Sequence, residues 1–253
     1  MPRQAREKSA SGIYHIIMRG INRQIIFEDD EDFSRFLQTL ENYKAKSGYE
    51  IYAYCLMDNH VHLLLKVGKE PLEQIMRRIC GSYVYWYNSK YERTGNLFQD
   101  RFKSEAVEND SHFLTVFRYI HQNPLKAGFV SSVEHYQWSS LGEYINRPSV
   151  IDNSFALRLF EDKREKALES IIQFCKVINS DQCLEVEEKQ HLSDKEAGHV
   201  IKKLSQVKNP TDLQKLDKVT RNNYLKELKE VYRLSIRQIS RLTGINRGIV
   251  LKA

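Results

Sequence analysis

Apolar and polar positions recur at two periods along the first half of the chain, and the switches between them mark its elements. Residues 14–19 alternate at a period of two, which predicts a strand, and Gly20 breaks it. The acidic run 28–32 suits a helix start, where carboxylates meet the positive end of the macrodipole. Phe33, Phe36, Leu37, Leu40 and Tyr43 follow at helical spacing, and Gly48 stops them. Period two returns over 49–55. A turn at Asp58-Asn59 separates that strand from another, His60-Val61-His62-Leu63-Leu64-Leu65-Lys66. Pro71 opens a second helix with Leu72, Ile75, Met76, Ile79, Tyr83 and Tyr87 on one side. Residues 103–107 predict a fourth strand. The order β-α-β-β-α-β is that of an α+β fold, a ferredoxin-like antiparallel sheet with helices on one face. Strand pairing is not readable from the pattern.

A third helix is predicted over 112–122, capped by Asp110 or Ser111, with Phe113, Val116, Phe117 and Ile120 as its apolar side. Pro124 disfavours helical geometry at Asn123, so the helix is expected to end there, leaving the Asn123 amide free to turn toward another element. Residues 1–12 read as a mobile arm and 145–155 as a linker. A helix follows over 162–178, then an acidic, irregular span over 180–195. Two more helices, 195–207 and 218–232, precede a last apolar pattern. There Ile236, Ile239 and Leu242 sit at helical spacing, Gly244 makes a turn and Asn246 can cap another helix. The chain thus divides into residues 1–145, a connector over 146–195, and an all-helical region over 196–253 with a helix-turn-helix pattern.

Charge sharpens this division. The 253 residues carry a formal net charge of +6. Residues 1–130 have 18 Lys and Arg against 16 Asp and Glu, residues 131–195 have 8 against 12, and residues 196–253 have 13 against 5. The last region holds the basic excess. That favours a polyanionic partner, or else a solvated helical surface. No apolar run approaches the roughly 20 residues that cross a bilayer. The basic start has no apolar segment behind it, so no signal peptide and no membrane association are expected. Cys55, Cys80, Cys175 and Cys183 lack paired spacing and read as reduced thiols of a cytoplasmic protein.

Chemistry concentrates in two places. On a strand, His60 and His62 share a face while Val61, Leu63 and Leu65 take the other. Two imidazoles so spaced can chelate one divalent metal, or can be ordinary polar-face histidines. On the third helix, Thr115, Tyr119 and Asn123 lie along one flank. The Tyr119 hydroxyl and the Asn123 amide can both face the histidines, or be a core-edge phenol and a helix C-cap. Tyr83, Tyr85, Trp86, Tyr87 and Tyr91 can stack on unpaired bases or fill a core. In the basic region, Arg237, Arg241 and Arg247 can meet phosphates or base edges, unless that region only packs against protein.

Four stretches in order carry a resemblance. They are His60-Val61-His62; Gly95-Asn96-Leu97-Phe98-Gln99-Asp100-Arg101-Phe102; Arg118-Tyr119-Ile120-His121-Gln122-Asn123-Pro124-Leu125-Lys126-Ala127-Gly128; and Tyr136-Gln137-Trp138-Ser139-Ser140. Residues 14–144 resemble the REP-associated tyrosine transposases of the HUH single-tyrosine superfamily. The resemblance implies that His60 and His62 bind Mg²⁺ or Mn²⁺, with Asn123 as a further ligand. It implies that Tyr119 is the nucleophile, leaving a 5′-phosphotyrosine and a free 3′-hydroxyl. The implied substrate is single-stranded DNA with a hairpin and a short adjacent tetranucleotide, handled by a monomer or homodimer. The last region resembles the DNA-binding domain of bacterial replication initiators. Two other readings compete: a non-catalytic helix-turn-helix regulator, and a zinc hydrolase using His60 and His62, which lacks an obvious acidic third ligand.

Overall fold

Four strands build one antiparallel sheet in the order β2-β3-β1-β4: β1 (Ile13–Arg19), β2 (Glu50–Met57), β3 (His60–Lys66) and β4 (Lys103–Ala106). The structure is a computed structural model describing residues 6–161, 163–177, 179, 181, 183, 184, 194–232 and 234–253, with only the backbone at residue 195. Strands β1 and β3 are central, and β3 is buried along its whole inner length. The register places Ile17 opposite His62 and Arg19 opposite His60 on one neighbour, and His15 opposite Glu105 on the other. His15, His60, His62 and Glu105 therefore share one face of the sheet.

The other face carries Ile16, Met18, Val61, Leu63 and Leu65, all buried. It is covered by α1 (Asp30–Ser47) and α2 (Leu72–Lys90). Asp29 caps α1, accepting from the Asp32 amide, while the Asp32 carboxylate accepts from the Asp29 amide in return. Gly48 closes α1 at φ 67°, a left-handed conformation that favours glycine. The six apolar residues expected on one side of α2 are its buried set. Cys80 Sγ lies 3.3 Å from Met18 Sδ, which seats α2 on this face, and Phe36 meets Tyr83 at 5.1 Å between ring centres to join α1 to α2.

Helices α1 and α2 share one face, as the β/α order suggested, and helix α3 (Asp110–Lys126) covers the opposite, histidine face. This cover suits β1 and β3, whose side chains are buried on both faces. Two expectations about α3 change. Its cap is Asn109, whose side chain accepts from the His112 amide. It also runs through Pro124 instead of stopping at Asn123. A proline this close to a helix end removes a single ladder bond. The last turn is closed by Ala127 N–H to Asn123 O at 2.9 Å and Phe129 N–H to Pro124 O at 2.9 Å.

The molecule divides into two compact units, Met1–Val186 and Glu187–Ala253. The segment read as a linker belongs to the first. Glu143 Oε2 accepts from the amides of Ser149 at 2.7 Å and Val150 at 2.8 Å. Val150 and Ile151 are buried, and Asp152 N–H donates to Ile51 O. Three more helices, α4 (Leu141–Ile145), α5 (Asn153–Phe160) and α6 (Arg164–Lys176), complete this unit. Its core includes Ala156, Ile171 and Cys175. The expected mobile arm is tied down over its described part. Glu108 accepts from the Ala10 and Ser11 amides, and the Arg6 guanidinium sits 3.7 Å over the Phe102 ring. Residues 1–5 lie outside the described residues, as does most of the acidic span 180–195.

The second unit contains α7 (Asp194–Ser205), a 3-10 turn (Pro210–Lys215), α8 (Lys218–Glu230), α9 (Ile236–Thr243) and α10 (Arg247–Lys252). Ala197, Ile201, Leu213, Leu225, Leu228, Ile239 and Val250 form its core. Gly244 ends α9 at φ 72°, and a Cβ there would stand 2.3 Å from Gln214 Nε2. Asn246 caps α10. Among the described residues, no helix is long and apolar enough to cross a membrane.

Candidate active site

The site begins with three imidazoles on the central strands. His60 and His62 ring centres are 5.1 Å apart, and His15 stacks on His62 at 5.4 Å. Each ring has a partner at Nδ1. His60 Nδ1 is 2.7 Å from Asn59 Oδ1, His62 Nδ1 is 3.1 Å from His15 Nε2, and His15 Nδ1 is 3.4 Å from Glu105 Oε2. Burial, aided by the Arg19 charge, pushes the His60 pKa down to about 4. Burial also drives His62 well below the ordinary range, with His60 and His15 adding to it. His15 is lowered by burial, against the opposing pull of Glu105. All three rings are therefore neutral at pH 7, the form in which imidazole binds metals.

Helix α3 lays Tyr119 against this row. Its ring centre is 5.8 Å from His15 and 5.7 Å from His62, edge-on to both. The residue is 4% exposed. Lys126, two turns on, holds its ammonium 4.9 Å over the phenol ring. Asn123 Nδ2 donates to the Tyr119 carbonyl at 2.9 Å, so the amide oxygen is its remaining polar atom.

Buried polar contacts fix the height of α3 on the sheet. His121 donates from Nδ1 to Phe117 O at 2.9 Å, and its Nε2 accepts from the Ser140 hydroxyl at 2.8 Å. Ser140 Oγ in turn accepts from the β2 amide of Tyr54 at 2.9 Å. Gln122 donates to the carbonyls of Cys175 and Val177, linking α3 to the end of α6.

The structure thus brings His60, His62 and Tyr119 together and sets Asn123 one turn along the same helix. Among the described residues, no group of three or more His, Cys, Asp and Glu side chains is placed to hold a metal ion. Any ion here would rely on the imidazole pair with an amide oxygen or substrate oxygens. Sequence reasoning passed over His15 and Glu105. Both lie in strands it identified, but only the pairing order makes them neighbours of His62.

The stretch 98–102 lines a separate cavity of about 340 Å³ with Arg6, Met18, Met76 and Arg77. Of the aromatic end of α2, Tyr83 and Tyr87 are core and Tyr85 is exposed. In the second unit Arg237, Arg241 and Arg247 are all exposed, but Arg241 is engaged, 2.6 Å from Asp194 Oδ1.

Known proteins share this part of the chain. Residues 8–123 match the family model described as "Transposase IS200 like". A protein of Haemophilus influenzae (strain ATCC 51907 / DSM 11121 / KW20 / Rd), provisionally named a REP-associated tyrosine transposase, is 24% identical over 155 residues, covering 55% of this chain and 85% of its own. A solved REP-associated tyrosine transposase bound to a REP hairpin is 21% identical, with a TM-score of 0.49, over 61% of this chain and 96% of that one. A crystal structure from Deinococcus radiodurans R1, provisionally named a transposase, is 20% identical, with a TM-score of 0.35, over 48% of this chain and 97% of that one.

Proposed function

We propose, from the match of residues 8–123 to the IS200-like transposase family model, that this chain cleaves and rejoins single-stranded DNA through a 5′-phosphotyrosine on Tyr119. The observation that carries the reading is the packing of the Tyr119 ring on His62 at 5.7 Å. A phenol, a neutral imidazole pair and an amide are the parts that phosphodiester transfer needs.

In this reading the Tyr119 oxygen attacks phosphorus and loses its proton. The new Oη–P bond forms as the bond to the 3′ oxygen breaks, and the departing oxygen takes up a proton. Bond energy is retained in the phosphotyrosine, so a 3′-hydroxyl can reverse the step and join strands. A free phenol has a pKa of about 10 and is a weak nucleophile at neutral pH. His60, His62 and Asn123 would hold Mg²⁺ or Mn²⁺. The donor set fits, because both rings are held neutral by burial, both have Nδ1 engaged, and the Asn123 oxygen is uncommitted by its amide contact. When bound, such an ion supplies Lewis-acid charge to the phosphate oxygens. The Lys126 ammonium, 4.9 Å over the ring, places a positive charge beside this phenol.

The motifs of the first unit, and the REP-associated name of the relative, support a hairpin-bearing repeat as the substrate. The basic second unit supports added contact with the DNA backbone. Its α9–turn–α10 unit would act as a helix-turn-helix through Arg237 and Arg247, with Arg241 contributing if it leaves Asp194.

The test is a labelled hairpin-bearing single strand incubated with Mn²⁺ or Mg²⁺ and resolved on a denaturing gel. A covalent protein–DNA band is expected, and Tyr119→Phe should lose it while still binding DNA. Cleavage by the Phe variant would sink the nucleophile assignment.

A further inference from the structure

We propose that His15 and Glu105 are positioning residues that fix the tautomer of His62, and so decide which of its ring nitrogens offers a lone pair. The inference rests on the transposase reading for its purpose, but its geometry stands alone. Glu105 Oε2 lies 3.4 Å from His15 Nδ1, and it is anchored there by a second donor, the Leu184 amide at 3.1 Å. His112 Nε2 stands 3.6 Å from the other carboxylate oxygen. A carboxylate accepts and does not donate, so the proton of a neutral His15 belongs on Nδ1.

That choice propagates. With its proton on Nδ1, His15 presents Nε2 as an acceptor. His62 Nδ1 is 3.1 Å away and must supply the hydrogen between them. His62 is then protonated on Nδ1 and keeps its lone pair on Nε2. The opposite arrangement would put two lone pairs, on the buried His15 Nδ1 and on Glu105, face to face. His60 reaches the same state by a shorter route. Asn59 Nδ2 donates to Arg23 O, which turns Asn59 Oδ1 toward His60 Nδ1 at 2.7 Å. Both histidines of the pair then offer Nε2. Carboxylate–imidazole support of this kind orients metal-ligating rings and raises their basicity, and losing it lowers metal affinity about 10–100-fold.

The chain of contacts crosses three strands, β4 to β1 to β3, and needs the order β2-β3-β1-β4. It accounts for a histidine and a glutamate set directly opposite each other on the face that carries His60 and His62.

Nitrogen-15 NMR on metal-free wild-type protein reads the His62 tautomer directly, and Nδ1–H is expected. An Nε2–H signal would overturn the proposal with no variant made. Mn²⁺ binding, followed by calorimetry without DNA, should weaken 10–100-fold in His15→Phe. His15→Gln carries an amide oxygen near the Nε2 position and should recover most of that loss. Equal Mn²⁺ affinity in His15→Phe and wild type, or no recovery in His15→Gln, would overturn it. Wild-type protein that shows Nδ1–H on His62 but binds no Mn²⁺ supports the relay and counts against the metal part of the proposed function alone.

Discussion

His121 offers the most exacting test of how α3 is held. It is fully buried, and its two ring nitrogens are spent on Phe117 O and the Ser140 hydroxyl. Protonation would turn Nε2 into a second donor facing a hydroxyl already committed to it, inside an apolar shell. Burial accordingly pushes its pKa down to about 4 from 6.5. Unfolded chain therefore binds more protons than folded chain between these values, and stability falls as pH drops from about 6.5 toward 4. The full effect is about 3 kcal/mol below pH 4, of which about 2 kcal/mol is lost between pH 7 and pH 5. The assay is urea unfolding of wild type and His121→Gln at both pH values. Both tryptophans, Trp86 and Trp138, lie in the first unit, so fluorescence follows that unit's unfolding. The variant should start less stable by about 1–3 kcal/mol, from the lost contacts. Between pH 7 and pH 5 it should then lose about 2 kcal/mol less than wild type. His15, His60 and His62 titrate in the same direction in both proteins and cancel. Identical losses in the two proteins would refute the claim that His121 is neutral and bonded as described.

Lys90 bridges Asp29, Glu31 and Asp32 at 2.7–2.9 Å, with Asp32 fully buried. Lys90→Met should therefore destabilise the first unit by about 2 kcal/mol, discounted for partial exposure, as read by the same urea melts. Arg237→Ala with Arg247→Ala should reduce the salt dependence of single-strand binding by about 1.4 in log–log slope, measured by anisotropy titration at several salt concentrations. An unchanged slope would remove those side chains from the DNA interface. His60→Ala should abolish Mn²⁺-dependent adduct formation while leaving DNA affinity in EDTA within about twofold, since a neutral buried ring contributes no counterion release.

The strands and helices of the first unit were legible because each obeys its own period and carries a local stop. Gly20, Gly48 and the Asp29–Asp32 box are local chemistry, and local chemistry can be read from sequence. The linker reading of 145–155 failed for a different reason. Arg147, Pro148, Asn153 and Ser154 look like a loop, but Glu143 gathers the amides of residues 149–151 and seats Val150 and Ile151 in the core. No periodicity reports a carboxylate that clamps backbone several residues away. Pro124 misled in the same manner, because its cost is one ladder bond and the surrounding contacts of α3 outweigh it. In the site, His60, His62 and Tyr119 stood out through their spacing and their motifs. His15 and Glu105 did not, since their meaning arises only across strands.

Strand β3 is bonded to neighbours on both edges along its length, and β1 is bonded to β3 throughout and to β4 from Tyr14 to Ile17. Amide hydrogen exchange there should require opening of the whole unit, which makes the imidazole row the last part of the molecule to loosen. Helix α3 has no such ladder to the sheet and rests on it through side chains. Whatever yielding a bulky strand demands on entry falls to the helix that carries the phenol, while the histidines beneath it behave as an anvil.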